Sequence, residues 1–222
     1  RTPTAQTDFI VHYCKKAGDY ITDKLDIRSM SLDALGELLT DLGQPKFRAL
    51  QIFKWLQSGV ESFDEMTNIP LNLRQKLEDI SYIATVKALR RYVSKIDGTV
   101  KYVYELFDGE LIESVLMKYE HGYTVCISTQ VGCRMGCKFC ASGIYGLTRN
   151  LTASEMLAQI TYAQRDNNIR VSNIVMMGMG EPLDNFDNSV QFLKLVSDEN
   201  GINIGLRHIS LSTSGVVSGI QK

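Results

Sequence analysis

The chain has 222 residues, 44% of them hydrophobic and 22% charged, with a formal net charge of −1. That balance fits a folded protein with one or two cores, and it gives no global pull toward nucleic acid, so any RNA contact must come from local patches. No apolar run approaches the roughly 20 residues of a membrane helix, and the opening RTPTAQTDFIVHYCKK lacks the apolar centre and cleavage site of a signal peptide, so the sequence reads as cytoplasmic.

Residues 1–26 form an extension with few local signals. Residues 27–84 read as a helical module. In SLDALGELLTDLG, Ser31 is an N-cap and Gly43 a stop, with Leu32, Leu35, Leu38 and Leu39 along one face. KFRALQIFKWLQSG offers Phe47, Leu50, Phe53 and Trp55 or Leu56 to the core. Pro70 opens a third helix, where its missing N–H costs little. Residues 85–128 change period, the stretch 85–122 forming a small domain of its own. Asp97-Gly98 and Asp108-Gly109 mark hairpin turns, which predicts an antiparallel meander with strands near 86–95, 99–107, 110–118 and 123–128.

From residue 123 the rhythm becomes strand–loop–helix, three times. YTVCIS leads through a cysteine-rich loop to LTASEMLAQITYAQRD, where Thr152 and Glu155 make a capping box and Met156, Leu157, Ile160 and Ala163 share a face. NIVMMG precedes the loop MGEPLDN and the helix DNSVQFLKLVSD, and HISLST precedes SGVVSGI. Apolar strands alternating with helices predict a parallel sheet, hence an α/β fold. Three units cannot close a barrel, so residues 123–222 are expected to form an incomplete one, and the chain reads as the N-terminal part of a longer protein.

Four of the five cysteines, Cys126, Cys133, Cys137 and Cys140, fall within fifteen positions, and Cys14 stands apart. Such clustering points to a metal or redox site rather than a disulfide framework. VGCRMGCKFCASG reads Cys-x3-Cys-x2-Cys just after a strand, where βα barrels place their active groups. Three thiolates hold three irons of a cubane cluster and leave the fourth free for a small molecule. Gly132 and Gly136 let the loop turn tightly, and Phe139 is placed to shield a cluster from water. Two alternatives remain open at this point: a structural zinc site with Cys126 as fourth ligand, and a four-cysteine ferredoxin-like cluster. In residues 86–104, Lys87, Arg90, Arg91, Lys95 and Lys101 interleave with Tyr92, Tyr102 and Tyr104, a pattern that suits phosphate contact and base stacking as well as it suits a solvated hairpin.

The cysteine motif, with an aromatic before its last cysteine, resembles the signature of the radical S-adenosylmethionine (SAM) superfamily. STQVGCRMGCKFCASGIYGLTRNLTASE, NIVMMGMGEPLDN and ISLSTSGVV, with LGQPKFRALQIFKWL and FDEMTNIP upstream, are similar to the RlmN-type adenine-C2 methyltransferases. The resemblance implies a radical SAM (βα) barrel behind an RNA-binding helical module. It also implies methylation of an adenine of 23S ribosomal RNA, and in some members of tRNA, through a methyl-cysteine intermediate. By position, Cys133, Cys137 and Cys140 match the ligands of a 4Fe–4S cluster, and Gly180, Glu181 and Ser212 match SAM contacts. Glu113 matches the proton acceptor, and Cys126 the cysteine that releases product by forming a disulfide. An electron donor such as flavodoxin or ferredoxin is implied as a partner. No residue here matches the family's methyl-accepting cysteine, so the 222 residues alone are expected to be inactive. An adenine-C8 methyltransferase and a non-catalytic iron–sulfur or zinc RNA-binding module are the competing readings.

Overall fold

A computed structural model describes residues 24–222. Most of the 1–26 extension, with Cys14, therefore lies outside the described residues. Strand β1 (Leu25–Asp26) pairs in parallel with β2 (Ser81–Tyr82). Between them lie helices α1 (Leu32–Asp41), α2 (Phe47–Ser58) and α3 (Leu71–Ile80). The Ser31 hydroxyl accepts the Ala34 N–H at 3.2 Å and caps α1, which buries Leu35, Leu38 and Leu39.

In α2 the buried stripe is Ala49, Ile52, Phe53 and Leu56. At 100° per residue this puts Phe47 on the opposite side and Leu50 on the rim. Both expected core residues are instead solvent-facing, Phe47 57% exposed and Leu50 36%. Trp55 is half-buried, with its indole N–H donating to Asn68 Oδ1 at 2.6 Å.

The meander and the βα units merge into one six-stranded sheet. Its strands are β3 (Lys87–Val93), β4 (Val100–Glu105), β5 (Leu111–Tyr119), β6 (Gly122–Cys126), β9 (Val171–Met176) and β10 (Ile209–Leu211). They run in the order β10-β9-β6-β5-β4-β3, antiparallel from β3 to β6 and parallel from β6 to β10. A short hairpin that the sequence did not announce, β7 (Gln130–Gly132) with β8 (Leu147–Asn150), brackets the cysteine loop. Helices α4 (Ala153–Asn167), α5 (Phe186–Ser197) and α6 (Val217–Gln221) complete the three βα units.

One face of the sheet is packed. Tyr102 and Tyr104 stack at 5.1 Å, Tyr162 of α4 meets both edge-on, and Ile112, Leu116, Val125 and Ile174 are buried alongside. The opposite, open face carries Lys101, Glu113, Val115, Thr124, Cys126, Val175 and Ser210; Thr124 is buried, and the others are half-buried or exposed.

Helix α4 is held between the sheet and the helical module, so its polar residues are buried as well as its apolar ones. Each has a partner, as buried polar groups require. The Ser154 hydroxyl donates to Asp26, Glu155 pairs with Arg149, Gln159 bonds Ser128, and Thr161 accepts from Arg28. The capping box on Thr152 and Glu155 is formed. Among the described residues no helix is long and apolar enough to cross a membrane.

Candidate functional site

The loops after β6 and β9 are zipped together at the C-terminal ends of the parallel strands. Gly178 N–H donates to Ile127 O at 3.0 Å and Met179 N–H to Ser128 Oγ at 2.9 Å. Thr129 N–H donates to Met179 O at 2.8 Å, and Glu181 N–H to Gln130 Oε1 at 2.8 Å. This closeness dictates the glycines of the GMGEP stretch. A Cβ on Gly178 would lie 2.6 Å from Ile127 O. Gly180 has φ +100°, and its Cβ would lie 2.5 Å from that of Gln130.

The cysteine loop leaves this frame through Gly132 (φ +74°) and turns at Gly136 (φ +69°). Cys133 N–H donates to Gly146 O at 2.9 Å, and Cys140 N–H to Cys137 O at 3.0 Å. Cys126, Cys133, Cys137 and Cys140 are half-buried free thiols, and no disulfide joins the described cysteines. Nor are three His, Cys, Asp or Glu side chains already gathered around a metal position among the described residues. The fit to an iron–sulfur cluster therefore rests on donor type, three soft thiol ligands on one anchored loop with no carboxylate or imidazole among them. Phe139, expected as a shield, is instead 94% exposed, and Tyr145 96%. The loop is fixed at its base, and no described residue packs over its tip.

Three residues with no assigned role from the sequence anchor that base. Arg134, between the first two cysteines, forks onto Asp184 with Nε–Oδ2 at 2.9 Å and Nη2–Oδ1 at 2.5 Å. Gln130 Nε2 donates to Asp184 Oδ2 at 2.9 Å and to Asn150 Oδ1 at 2.8 Å. The Arg134 guanidinium holds the Asp184 carboxyl below its usual range, against the opposing push of burial. The sequence gives no local sign of this clamp, because the partners lie about 50 residues apart; only the structure shows that Gln130 is fully buried.

Glu181 is buried, and its carboxylate already serves the protein. Oε1 accepts Leu183 N–H at 3.0 Å, and Oε2 accepts the Ser214 N–H at 2.7 Å and hydroxyl at 2.9 Å. Burial pushes its carboxyl up, but the bonds from Ser214, Leu183 and Thr213 outweigh this and hold it below the usual range. With Leu183, Ser214 and Thr213 all bonded to it, the roughly four acceptor positions of the carboxylate are taken up within the protein. Ser212 is exposed in the same loop as Ser214. The structure thus joins Gly180, Glu181 and the Ser212 loop to each other and to the base of the cysteine loop.

Glu113 and Cys126 lie apart from the loops, on the open face. Cys126 pairs with Val115 in the register and Glu113 is two residues before Val115, so their side chains project from the same face. Glu113 accepts an ion pair from Lys101 at 2.8 Å, both half-exposed. Cys126 lines a groove of about 610 Å³ with Val115, Met117, Thr124, Met177 and His208. Burial pushes its thiol up.

Comparison with known proteins gives the same outline. Residues 25–83 match the ribosomal RNA large subunit methyltransferase N-terminal domain, and residues 127–219 the radical SAM superfamily. A protein of Alkaliphilus oremlandii named "Probable dual-specificity RNA methyltransferase RlmN" is 54% identical over 199 residues, 90% of this chain and 58% of that one. A Clostridium novyi protein of the same name is 50% identical, covering 89% and 58%. The crystal structure of a radical SAM methyltransferase from Sphaerobacter thermophilus superimposes with a TM-score of 0.82 at 41% identity, covering 88% of this chain and 59% of that one. The chain thus spans a little under three fifths of the length of these relatives. With the RlmN N-terminal domain ahead of an open radical SAM sheet, it belongs to the RlmN-type branch of the radical SAM superfamily.

Proposed function

We propose that the protein is a cytoplasmic radical SAM enzyme that methylates carbon 2 of an adenine in 23S ribosomal RNA, and of tRNA where its relatives' dual specificity extends to it. The observation that carries this reading is the convergence of the cysteine loop, the Gly180–Glu181 loop and the Ser212–Ser214 loop at the C-terminal ends of three adjacent parallel strands. In βα architectures that end is where reactive groups are assembled.

Cys133, Cys137 and Cys140 would hold a 4Fe–4S cluster, and Gly180, Glu181 and Ser212 would hold SAM. When bound, this pair supplies one-electron cleavage of SAM, with electrons from a flavodoxin or ferredoxin, which opens a route to an electron-poor ring carbon. The residues of the chain do the rest. Glu181 takes the SAM ammonium group in exchange for one of its bonds to the Thr213–Ser214 loop. Glu113, ion-paired with Lys101, takes the proton that leaves carbon 2. Cys126 loses its proton and attacks the sulfur of the cysteine that carries the product. The sulfur–carbon bond breaks, its electron pair passes to the methylene carbon, which takes a proton to become the methyl group, and a disulfide forms as the RNA is released. No cysteine of these 222 residues takes the methyl-accepting role in this reading, so they bind the cofactors without turning over alone.

Anaerobic reconstitution tests the proposal. A brown protein with about four irons that cleaves SAM when reduced supports it, and nuclease mapping of the modified adenine identifies the carbon. A colourless protein holding one zinc overturns it.

A further inference from the structure

The register of the sheet draws a straight row across its open face. Tyr92 pairs with Lys101, Lys101 with Val115, Val115 with Cys126, Cys126 with Val175, and Val175 with Ser210. Strands lie about 4.8 Å apart, so Tyr92 stands about 14 Å from Cys126 along this row. A second row sets Arg90 against Val103 and Val103 against Glu113. Arg90 reaches this face because the register shifts between Ala88 and Arg90, leaving Leu89 as the extra residue of a bulge. Its neighbour Arg91 points the other way, onto Asp166 and Asn167 of α4.

The charge on this face is not balanced. Glu105 is paired with Lys87 at 3.4 Å and Glu113 with Lys101 at 2.8 Å, which neutralises the carboxylates of β4 and β5. Arg90 is exposed and has no carboxylate partner among the described residues, and Tyr92 beside it is 54% exposed. At the far end Arg207 lines the groove that holds Cys126, again without a paired carboxylate among the described residues. A free guanidinium next to an exposed aromatic ring, on a neutralised sheet, fits a phosphate and a stacked base. A peptide would gain less here, because among the described residues the face offers no free carboxylate and few apolar side chains outside the groove.

We infer that the strand edge at β3 is the landing site for the RNA, with a phosphate on Arg90 and a base stacked on Tyr92. From there the strand crosses Lys101 and delivers its next exposed base into the Cys126 groove. This rests on the proposed function and adds the path that the substrate takes.

The test measures anisotropy of a fluorescent stem-loop RNA with adenines in its loop, bound to the reconstituted protein at two salt concentrations. Arg90→Ala should weaken binding at least about fivefold and reduce the salt slope by about 0.7, one phosphate contact. Tyr92→Ala should weaken RNA binding by about five- to tenfold, within the range for loss of one stacked base, while binding of heparin stays unchanged. Lys194→Ala, on the outer side of α5, should change neither. Both substituted side chains are exposed, so melting temperatures should match the parent and exclude misfolding. RNA binding that survives Arg90→Ala and Tyr92→Ala, or that falls equally with Lys194→Ala, overturns the inference. So does an equal loss of heparin and RNA in Tyr92→Ala, and so does an unsubstituted protein that fails to bind RNA. The iron and SAM-cleavage assay decides the proposed function separately, so either reading can fail without the other.

Discussion

On the helix-covered face of the sheet, Tyr102, Tyr104, Ile112 and Leu116 are buried against α4 and its neighbours, whereas the open face holds Val115, Met117 and Cys126 around a groove, with Glu113 beside it. The same strands supply both sets, residue by alternate residue. On the packed side, apolar contacts and aromatic edges do the stabilising. On the open side, the side chains are half-exposed and bonded mainly to one another. Stability and chemistry are thereby separated by a single step along each strand. A substitution should cost one or the other according to its parity.

Four predictions put that separation under pressure, from the largest effect downward. Replacing Cys133, Cys137 or Cys140 with Ala should take bound iron from about four per chain to near zero and abolish SAM cleavage. Urea unfolding of the apo protein should hardly move, since these thiols are half-buried and bond nothing tightly. A large loss of apo stability would mean that the cysteine loop is part of the core.

On the packed face, Tyr104→Ala should cost about 3–5 kcal/mol, the range for emptying a buried aromatic site. Tyr104→Phe gives the sharper reading, because the hydroxyl is buried without a hydrogen-bond partner among the described residues. Its removal should be neutral or stabilising by up to about 1 kcal/mol, as read by chemical denaturation. A clear loss on Tyr104→Phe would show that the hydroxyl is satisfied.

At the seam between the loops, Gly180→Ala should cost about 1–3 kcal/mol. It would force a Cβ into Gln130 at a φ that only glycine adopts readily. SAM affinity should fall with stability, measurable by calorimetry on the reconstituted protein.

The smallest stability effect belongs to Cys126. Cys126→Ala should shift unfolding by no more than about 0.5 kcal/mol, yet trap an RNA–protein crosslink in an active enzyme of this family. Free product at the parental yield would remove its role. Because burial raises the Cys126 thiol, the attacking thiolate is scarce at neutral pH. Product release should therefore quicken about tenfold per pH unit until pH reaches that raised pKa, seen in quench-flow traces from pH 7 upward.

Much of the frame was legible because it obeys local rules. Asp-Gly pairs fixed the hairpin turns, Ser31 and Thr152 fixed helix starts, and the apolar runs fixed the parallel strands. The candidate site was legible where a motif is contiguous, as in the cysteine loop and GMGEP. What stayed hidden depends on residues far apart in the chain. The clamp of Arg134 and Gln130 on Asp184 joins positions about 50 apart, and Glu181 is bonded by Ser214, 33 residues on. Helix α2 was misjudged at Phe47 and Leu50, because an apolar residue announces itself without saying which side its neighbours will occupy. The merging of meander and barrel strands into one sheet was also unannounced, since β5 and β6 look like the end of one unit and the start of another.

The burial of α4 on nearly all sides carries one more consequence. Its polar side chains reach back to Asp26 and Arg28 at the entrance of the helical module, the Ser154 backbone N–H donates to Ser29 Oγ, and a Cβ on Gly59 of that module would meet the one on Thr161 at 2.6 Å. The seam is a fitted joint rather than a swivel. Chimaeras that exchange residues 27–84 between relatives should therefore fail to assemble unless the facing side of α4 is transplanted with them.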